Sequence, residues 1–290
     1  MPNAGKSTLL NALVGQKVAI VADKPQTTRT SIQGVYTSPE AQIVFIDTPG
    51  IHRADSPLNK RLMDTVRASL EERDLLLFLV DAARTFGDQD RRALDLVRKT
   101  ETPVVLVLNK IDLVKEKARL LPLIDEYRRL HDFADYVPVS AARGKGLEDL
   151  RKIIVDRLPE GPAYFPEDYV TDQPERFLAA ELVREKVLLA TRQEIPHSVA
   201  VMVDRWEETP QITRIYATIR VERDGQKAIV IGAKGEMLKQ IGTLARQEME
   251  RLFGVKIYLD LHVRVQPGWR EKPAFLNALD WRTMTGEDDF

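Results

Sequence analysis

Several short groups of residues have types and spacing suited to phosphate, metal and base chemistry. The first is Asn3-Ala4-Gly5-Lys6-Ser7-Thr8. In a phosphate-binding turn of the form G-x-x-x-x-G-K-[ST], backbone N–H groups point at phosphate oxygens. The lysine ammonium reaches the β- and γ-oxygens, and the serine hydroxyl joins Mg²⁺. The first glycine of that pattern would stand one position before Met1. The expectation drawn from this is that Met1 is an internal methionine of a longer chain, and that the strand feeding the turn is absent. The 290-residue form is then expected to be less stable, or to bind nucleotide more weakly, than one extended upstream.

A second group follows about forty residues later, where Ile43-Val44-Phe45-Ile46 runs into Asp47-Thr48-Pro49-Gly50-Ile51. An aspartate at the end of a buried strand can hold Mg²⁺ through water, and the glycine N–H can meet a γ-phosphate. Between the two groups, Thr28 of Gln26-Thr27-Thr28-Arg29-Thr30 is placed to complete the Mg²⁺ shell and to sense the γ-phosphate. Catalysis is accordingly expected from Lys6, Thr28, Asp47 and Gly50, with Ser7 and Thr28 on the metal. Many enzymes of this chemistry carry a water-orienting glutamine next, and Ile51 occupies that position. Arg29 and His52 are weaker alternatives for that task. Asn3 offers a side-chain carbonyl that could hold a monovalent cation such as K⁺ beside the β–γ bridge.

The third group is Asn109-Lys110-Ile111-Asp112. A carboxylate at a strand's carboxyl end can accept two hydrogen bonds from the N1–H and N2–H₂ edge of guanine. Adenine lacks that paired edge and would leave the carboxylate unsatisfied. Ser140-Ala141, after one more apolar run, is expected to present backbone N–H to the guanine O6.

These groups require a sheet to hold them. Ile43–Ile46, Leu75–Val80, Val104–Leu108 and Tyr136–Val139 are continuously apolar and β-branched, as strands buried on both faces are. With amphipathic stretches between them, they predict a doubly wound α/β domain over residues 1–158, its first strand missing. The helix after the phosphate turn should bury Leu9, Leu10, Leu13 and Val14 and stop at Gly15.

Residues 159–175, PEGPAYFPEDYVTDQPE, read as a proline-rich linker. Residues 176–270 then follow the order α-β-β-α-α-β, an α+β domain. Within it, Ile231-Gly232-Ala233-Lys234-Gly235 joins two helices. G-x-x-G lets a nucleic-acid backbone approach without a Cβ in the way, while Lys234 and Lys239 add cations. This is the pattern of a type II KH domain. Over 176–272 there are 17 Lys and Arg against 13 Asp and Glu, a local balance of +4 that suits single-stranded RNA in a groove. Trp206 and Tyr216 are read as core residues rather than base-stacking platforms. Residues 271–290 are expected to form a tail that frays at its acidic end.

Composition sets the outer limits. A net charge of −1 with 30% charged and 43% hydrophobic residues excludes a wholly basic nucleic-acid binder and a disordered chain. The absence of cysteine rules out disulfides and thiolate metal sites and fits a reducing cytoplasm. No apolar run reaches the ~18–20 residues of a membrane span, and no signal-peptide pattern opens the chain.

The stretches PNAGKSTLLNAL, KPQTTRT, DTPGIH, NKID, FPEDYVTD, ERF and GQKAIVIGAKG together resemble the bacterial Era GTPase family over essentially the whole chain. The resemblance implies a slow GTPase that binds GTP, GDP and Mg²⁺. Its KH domain would contact small-subunit (16S) ribosomal RNA near the 3′ end, and the protein would assist maturation of the 30S subunit. It also implies peripheral association with the inner membrane, and a monomer is expected. A rival reading keeps RNA binding in an assembly factor that no longer hydrolyses GTP.

Overall fold

The computed structural model describes residues 3–24, 26–51, 56–191 and 195–281. Met1, His52 and the acidic end from 283 lie outside the described residues. The chain forms two compact units. Unit 1 comprises residues 1–19, 28–53 and 61–172, and unit 2 comprises 20–27, 54–60 and 173–290.

Unit 1 begins with α1 (Lys6–Val14), which buries Leu9, Leu10 and Leu13 and ends at Gly15 with φ 90°. The Gly15 N–H closes the helix on the Asn11 carbonyl, the expected glycine stop. Next comes an antiparallel pair, β1 (Ile32–Thr37) and β2 (Gln42–Asp47), in register from Ile32 opposite Asp47 to Thr37 opposite Gln42. The helix α2 (Pro57–Ala68) follows, its first four residues assigned to unit 2. Then β3 (Leu76–Asp81), α3 (Asp88–Val97), β4 (Val104–Asn109), α4 (Leu120–Leu130), β5 (Asp135–Pro138) and α5 (Leu147–Val155) alternate. The strands β3, β4 and β5 make one parallel sheet with β4 at its centre.

All six residues of β4 are buried. Val105 and Val107 pack with Leu9, Leu13, Leu150 and Ile154 from α1 and α5, whereas Leu106 and Leu108 pack with Leu94, Tyr127 and Phe133 on the opposite face. Alternation of a fully apolar strand between two helical layers is what a doubly wound sheet requires. Among the described residues β2 and β3 share no ladder. A cavity of about 190 Å³ separates them, lined by Lys6, Leu9, Leu13, Phe45, Leu77 and Leu79 among others.

The expected linker over 159–175 is anchored on unit 1 for most of its length. Gln42 Oε1 accepts the Tyr164 and Phe165 N–H groups at 2.8 and 2.9 Å, and its Nε2 donates to the Phe165 carbonyl. The Val35 N–H reaches the Val170 carbonyl, and the Thr171 hydroxyl reaches that of Gln33. These contacts with β1 and β2 carry the chain along unit 1 up to the unit boundary at 172/173.

Unit 2 follows the expected order with one extra turn: α6 (Glu175–Ala190), α7 (Ile195–Ser198), β6 (Ala200–Glu208), β7 (Thr213–Val221), α8 (Asp224–Ile231), α9 (Glu236–Phe253) and β8 (Ile257–Val265). In the sheet β6-β7-β8, β7 is antiparallel to β6 and parallel to β8. Its core joins Leu182, Val183 and Val187 of α6 to Ile215, Ile219, Ile241 and Met249. Trp206 is partly buried against this core, as expected, and Tyr216 stacks edge-on to Tyr258. The fold continues past the expected limit at 270: Trp269 is fully buried with its Nε1 on the Ser198 carbonyl, and α10 (Pro273–Ala278) follows. A large aromatic that finds both an apolar pocket and an acceptor holds this part of the expected tail in place.

Candidate functional site

The phosphate-type turn is strained in the way such turns are. Asn3 has φ 56° and Gly5 φ 90°, and the backbone then enters α1 at Lys6, so Lys6, Ser7 and Thr8 form the helix's first turn. The N–H groups of a helix's first turn and the positive end of its dipole favour an anion there. A Cβ on Gly5 would lie 2.5 Å from Asn109 Nδ2, so the glycine is required by space as well as by φ. Desolvation pushes the Lys6 ammonium below its usual value, and the Asp47 carboxylate pulls it back up.

Ser7, Thr28 and Asp47 meet although they come from α1, the following loop and the end of β2. Ser7 Oγ lies 2.7 Å from Asp47 Oδ2, Thr28 Oγ1 lies 3.1 Å from the same oxygen, and the two hydroxyls are 2.9 Å apart. All three residues are buried. Two hydroxyls carry two hydrogens between them, so at most two of these three contacts can be hydrogen bonds. The cluster therefore concentrates oxygen lone pairs away from water, and the donor set suits a hard cation. Mg²⁺ takes oxygen ligands at about 2.0–2.1 Å and needs only one or two carboxylates. Thr48 follows partly exposed, while Pro49 and Gly50 are buried. Ile51 packs against the core around Phe78 and Leu106, so its side chain cannot orient water.

The residues expected at the base divide their work differently. Asn109 is 2% exposed and both ends of its amide are engaged: Nδ2 donates to the Ala4 carbonyl and Oδ1 accepts from the Ala141 N–H. Asn109 thus braces two loops through both ends of its amide. Its Oδ1 engages the Ala141 N–H, and the Ser140 N–H donates to the Lys145 carbonyl, so both N–H groups expected to face a guanine O6 have partners within the chain. Ser140 acts through its hydroxyl, 2.5 Å from Asp112 Oδ1. That bond is the main reason the Asp112 carboxyl is held below its usual range. Lys110 adopts φ 65° and places Nζ 2.9 Å from Asp81 Oδ2, with Ile111 and Asp112 opening a 3₁₀ turn. The Asp81 partner is a tertiary contact with no local signal in the sequence.

The second candidate site is the turn between α8 and α9. Gly232 (φ 74°, ψ 176°) ends α8 after Ile231, and a short 3₁₀ turn covers Ala233–Gly235, with Lys234 at φ 51° and Gly235 at φ 82°. Ala233, Lys234 and Lys239 are exposed, so backbone and cations face outward together. A Cβ on Gly232 would meet the Met237 Cβ at 2.6 Å, whereas one on Gly235 would meet nothing.

Comparison with known proteins finds a family match on each unit. A family model described as "50S ribosome-binding GTPase" matches residues 1–110, and a KH domain model matches residues 194–270. The chain is 49% identical to GTPase Era of Syntrophus aciditrophicus, covering 97% of this chain and 92% of that one. It is 50% identical to GTPase Era of Geotalea uraniireducens, covering 97% and 94%. Among solved structures, a variant of Aquifex aeolicus Era bound to GDP·AlF₄⁻ superposes with a TM-score of 0.93 at 42% identity, over 97% of this chain and 96% of that one. Era in complex with MgGDPNP and nucleotides 1506–1542 of 16S ribosomal RNA gives the same TM-score and identity, over 97% and 95%. At this identity and coverage the likeness extends through both units, and the chain belongs to the Era family of GTPases.

Proposed function

We propose that this GTPase binds GTP and GDP with Mg²⁺, binds the 3′ segment of 16S ribosomal RNA through its KH domain, and uses the nucleotide as a switch during small-subunit assembly. One observation carries the reading. The oxygens of Ser7, Thr28 and Asp47 converge within 2.7–3.1 Å in a chain that matches, along 97% of its length, an Era solved with MgGDPNP and that RNA segment.

In this account Gly5 and the first turn of α1 would hold the phosphates, Lys6 would neutralise their charge, and the oxygens of Ser7, Thr28 and Asp47 would hold Mg²⁺. The metal supplies charge neutralisation at the γ-phosphate. Asp112, which accepts a hydrogen bond from the Ser140 hydroxyl, reads the guanine edge. Asn109 holds the P-loop carbonyl of Ala4 so that the backbone N–H groups stay aimed. With an apolar residue at position 51 the intrinsic rate is low, and a monovalent cation at Asn3 assists it. Gly232–Gly235 and Lys239 take the RNA backbone.

No helix among the described residues is long and apolar enough to cross a membrane. We propose a cytoplasmic monomer that associates with the inner membrane only at its surface. The test is GTP turnover at fixed Mg²⁺ with K⁺ or Na⁺, with and without RNA carrying the 16S 3′ segment. RNA-dependent turnover and a K⁺ preference support the reading, and turnover indifferent to RNA contradicts the switch.

A further inference from the structure

Thr28 is the first residue of its stretch in unit 1, and the eight residues before it, 20–27, belong to unit 2. Two neighbouring side chains of α6 hold that stretch at its two ends. Glu185 Oε1 accepts the Val21 N–H at 2.7 Å, and the Ile20 side chain beside it is buried in the unit 2 core. At the other end the Arg184 guanidinium donates to the carbonyls of both Gln26 and Thr27. The Thr27 hydroxyl closes the loop on the Ala22 and Lys24 carbonyls at 3.0 and 2.7 Å.

Arg184 is 2% exposed and already forms a forked pair with Glu181, Nε to Oε1 at 2.7 Å and Nη2 to Oε2 at 2.6 Å. That pair alone would balance its charge. The two extra bonds go to successive carbonyls immediately before the residue whose hydroxyl faces Ser7 and Asp47. A planar guanidinium can pair two-pronged with a carboxylate and still reach two carbonyls, four bonds in all, whereas an ammonium has only three N–H donors.

We propose that Arg184 is a positioning residue for GTP hydrolysis. By fixing the Gln26 and Thr27 carbonyls it holds the backbone that leads into Thr28, and so sets how readily the Thr28 hydroxyl takes its place on the Mg²⁺ site. This rests on the function proposed above.

The test uses the full chain and the variants R184Q and R184K. R184Q should raise the Mg²⁺ concentration for half-maximal GTP turnover about 10-fold and lower kcat about 10-fold, with GDP affinity within about two-fold of wild type. R184K keeps the charge opposite Glu181 but not the fork. It should restore the melting temperature while leaving the Mg²⁺ requirement raised, an outcome that a purely structural role would not give. A folded R184K with the wild-type Mg²⁺ requirement overturns the inference. Peptide-level hydrogen exchange over residues 20–31 reads the anchoring without nucleotide and so judges Arg184 even if the chain hydrolyses no GTP. Exchange should rise about 10-fold or more in both variants, and unchanged exchange in both overturns the proposal. A wild-type chain that fails to hydrolyse GTP, with loosened exchange in R184K, instead points the failure at the function proposed above.

Discussion

The Asn109 side chain bridges two loops that lie far apart in sequence: its Nδ2 is 2.9 Å from the Ala4 carbonyl oxygen and its Oδ1 3.0 Å from the Ala141 nitrogen. Asn109→Ala would leave a buried acceptor and a buried donor without partners, and should cost about 2–4 kcal/mol in urea unfolding. Gly5→Ala should also destabilise, by φ strain and by a 2.5 Å approach to Asn109 Nδ2. Because the same amide supplies the clash, the double variant should be less damaged than the sum of the two, by about 1 kcal/mol. Strict additivity would show that the two residues do not meet.

The Ser7–Thr28–Asp47 cluster predicts an ordered series. Thr28→Val removes a hydroxyl at nearly constant volume and should lower GTP turnover about 100-fold while leaving GDP affinity within about two-fold. Thr28→Ser keeps the oxygen and should recover most of the rate. Equal losses in the two variants would mean that the methyl packing, not the hydroxyl, matters at this position.

The Asp112 carboxyl sits below its ordinary range chiefly because the Ser140 hydroxyl hydrogen-bonds it. The ionised form is the one that accepts from guanine, so nucleotide binding should hold at neutral pH and weaken only as pH falls through the lowered value. Ser140→Ala removes that bond and lets the carboxyl rise, so the acid limb of GDP binding should move to higher pH. Fluorescence titration of GDP across the acid range measures it, and an unmoved limb would remove Ser140 from this role.

The two glycines of the RNA turn should behave differently although both have positive φ. Gly232→Ala meets the Met237 Cβ at 2.6 Å as well as backbone strain, so it should lower the melting temperature and RNA affinity together. Gly235 has open space at its Cβ position. Its alanine variant should carry only the left-handed backbone cost of about 1–2 kcal/mol. A bulky Gly235→Asp should then lose RNA binding while guanine nucleotide binding persists. RNA binding retained by that variant would move the contact elsewhere on unit 2.

Much of this was legible in the sequence because the decisive signals are local. The run Val104–Leu108 could only be a strand buried on both faces, and its end fixes where Asn109 and Asp112 must stand. The strand β1 is not among the continuously apolar runs, because Gln33 and Gly34 interrupt its pattern. In the structure Gly34 marks a close approach, since a Cβ there would lie 2.9 Å from the side chains of Leu10 and Val14. The brace formed by Asn109, the Lys110–Asp81 pair and the anchoring of 159–172 on Gln42 and Val35 are long-range contacts. Residue type and spacing carry no signal for them until the chain is folded.

The most direct test of the central claim is single-turnover GTP hydrolysis at saturating Mg²⁺, with and without an RNA containing the 3′ segment of 16S ribosomal RNA, on the wild-type chain and on Gly235→Asp. The account predicts that RNA changes the wild-type rate by about 10-fold or more and leaves the variant's rate unchanged. Rates that are the same with and without RNA in the wild-type chain, with RNA bound, would contradict it.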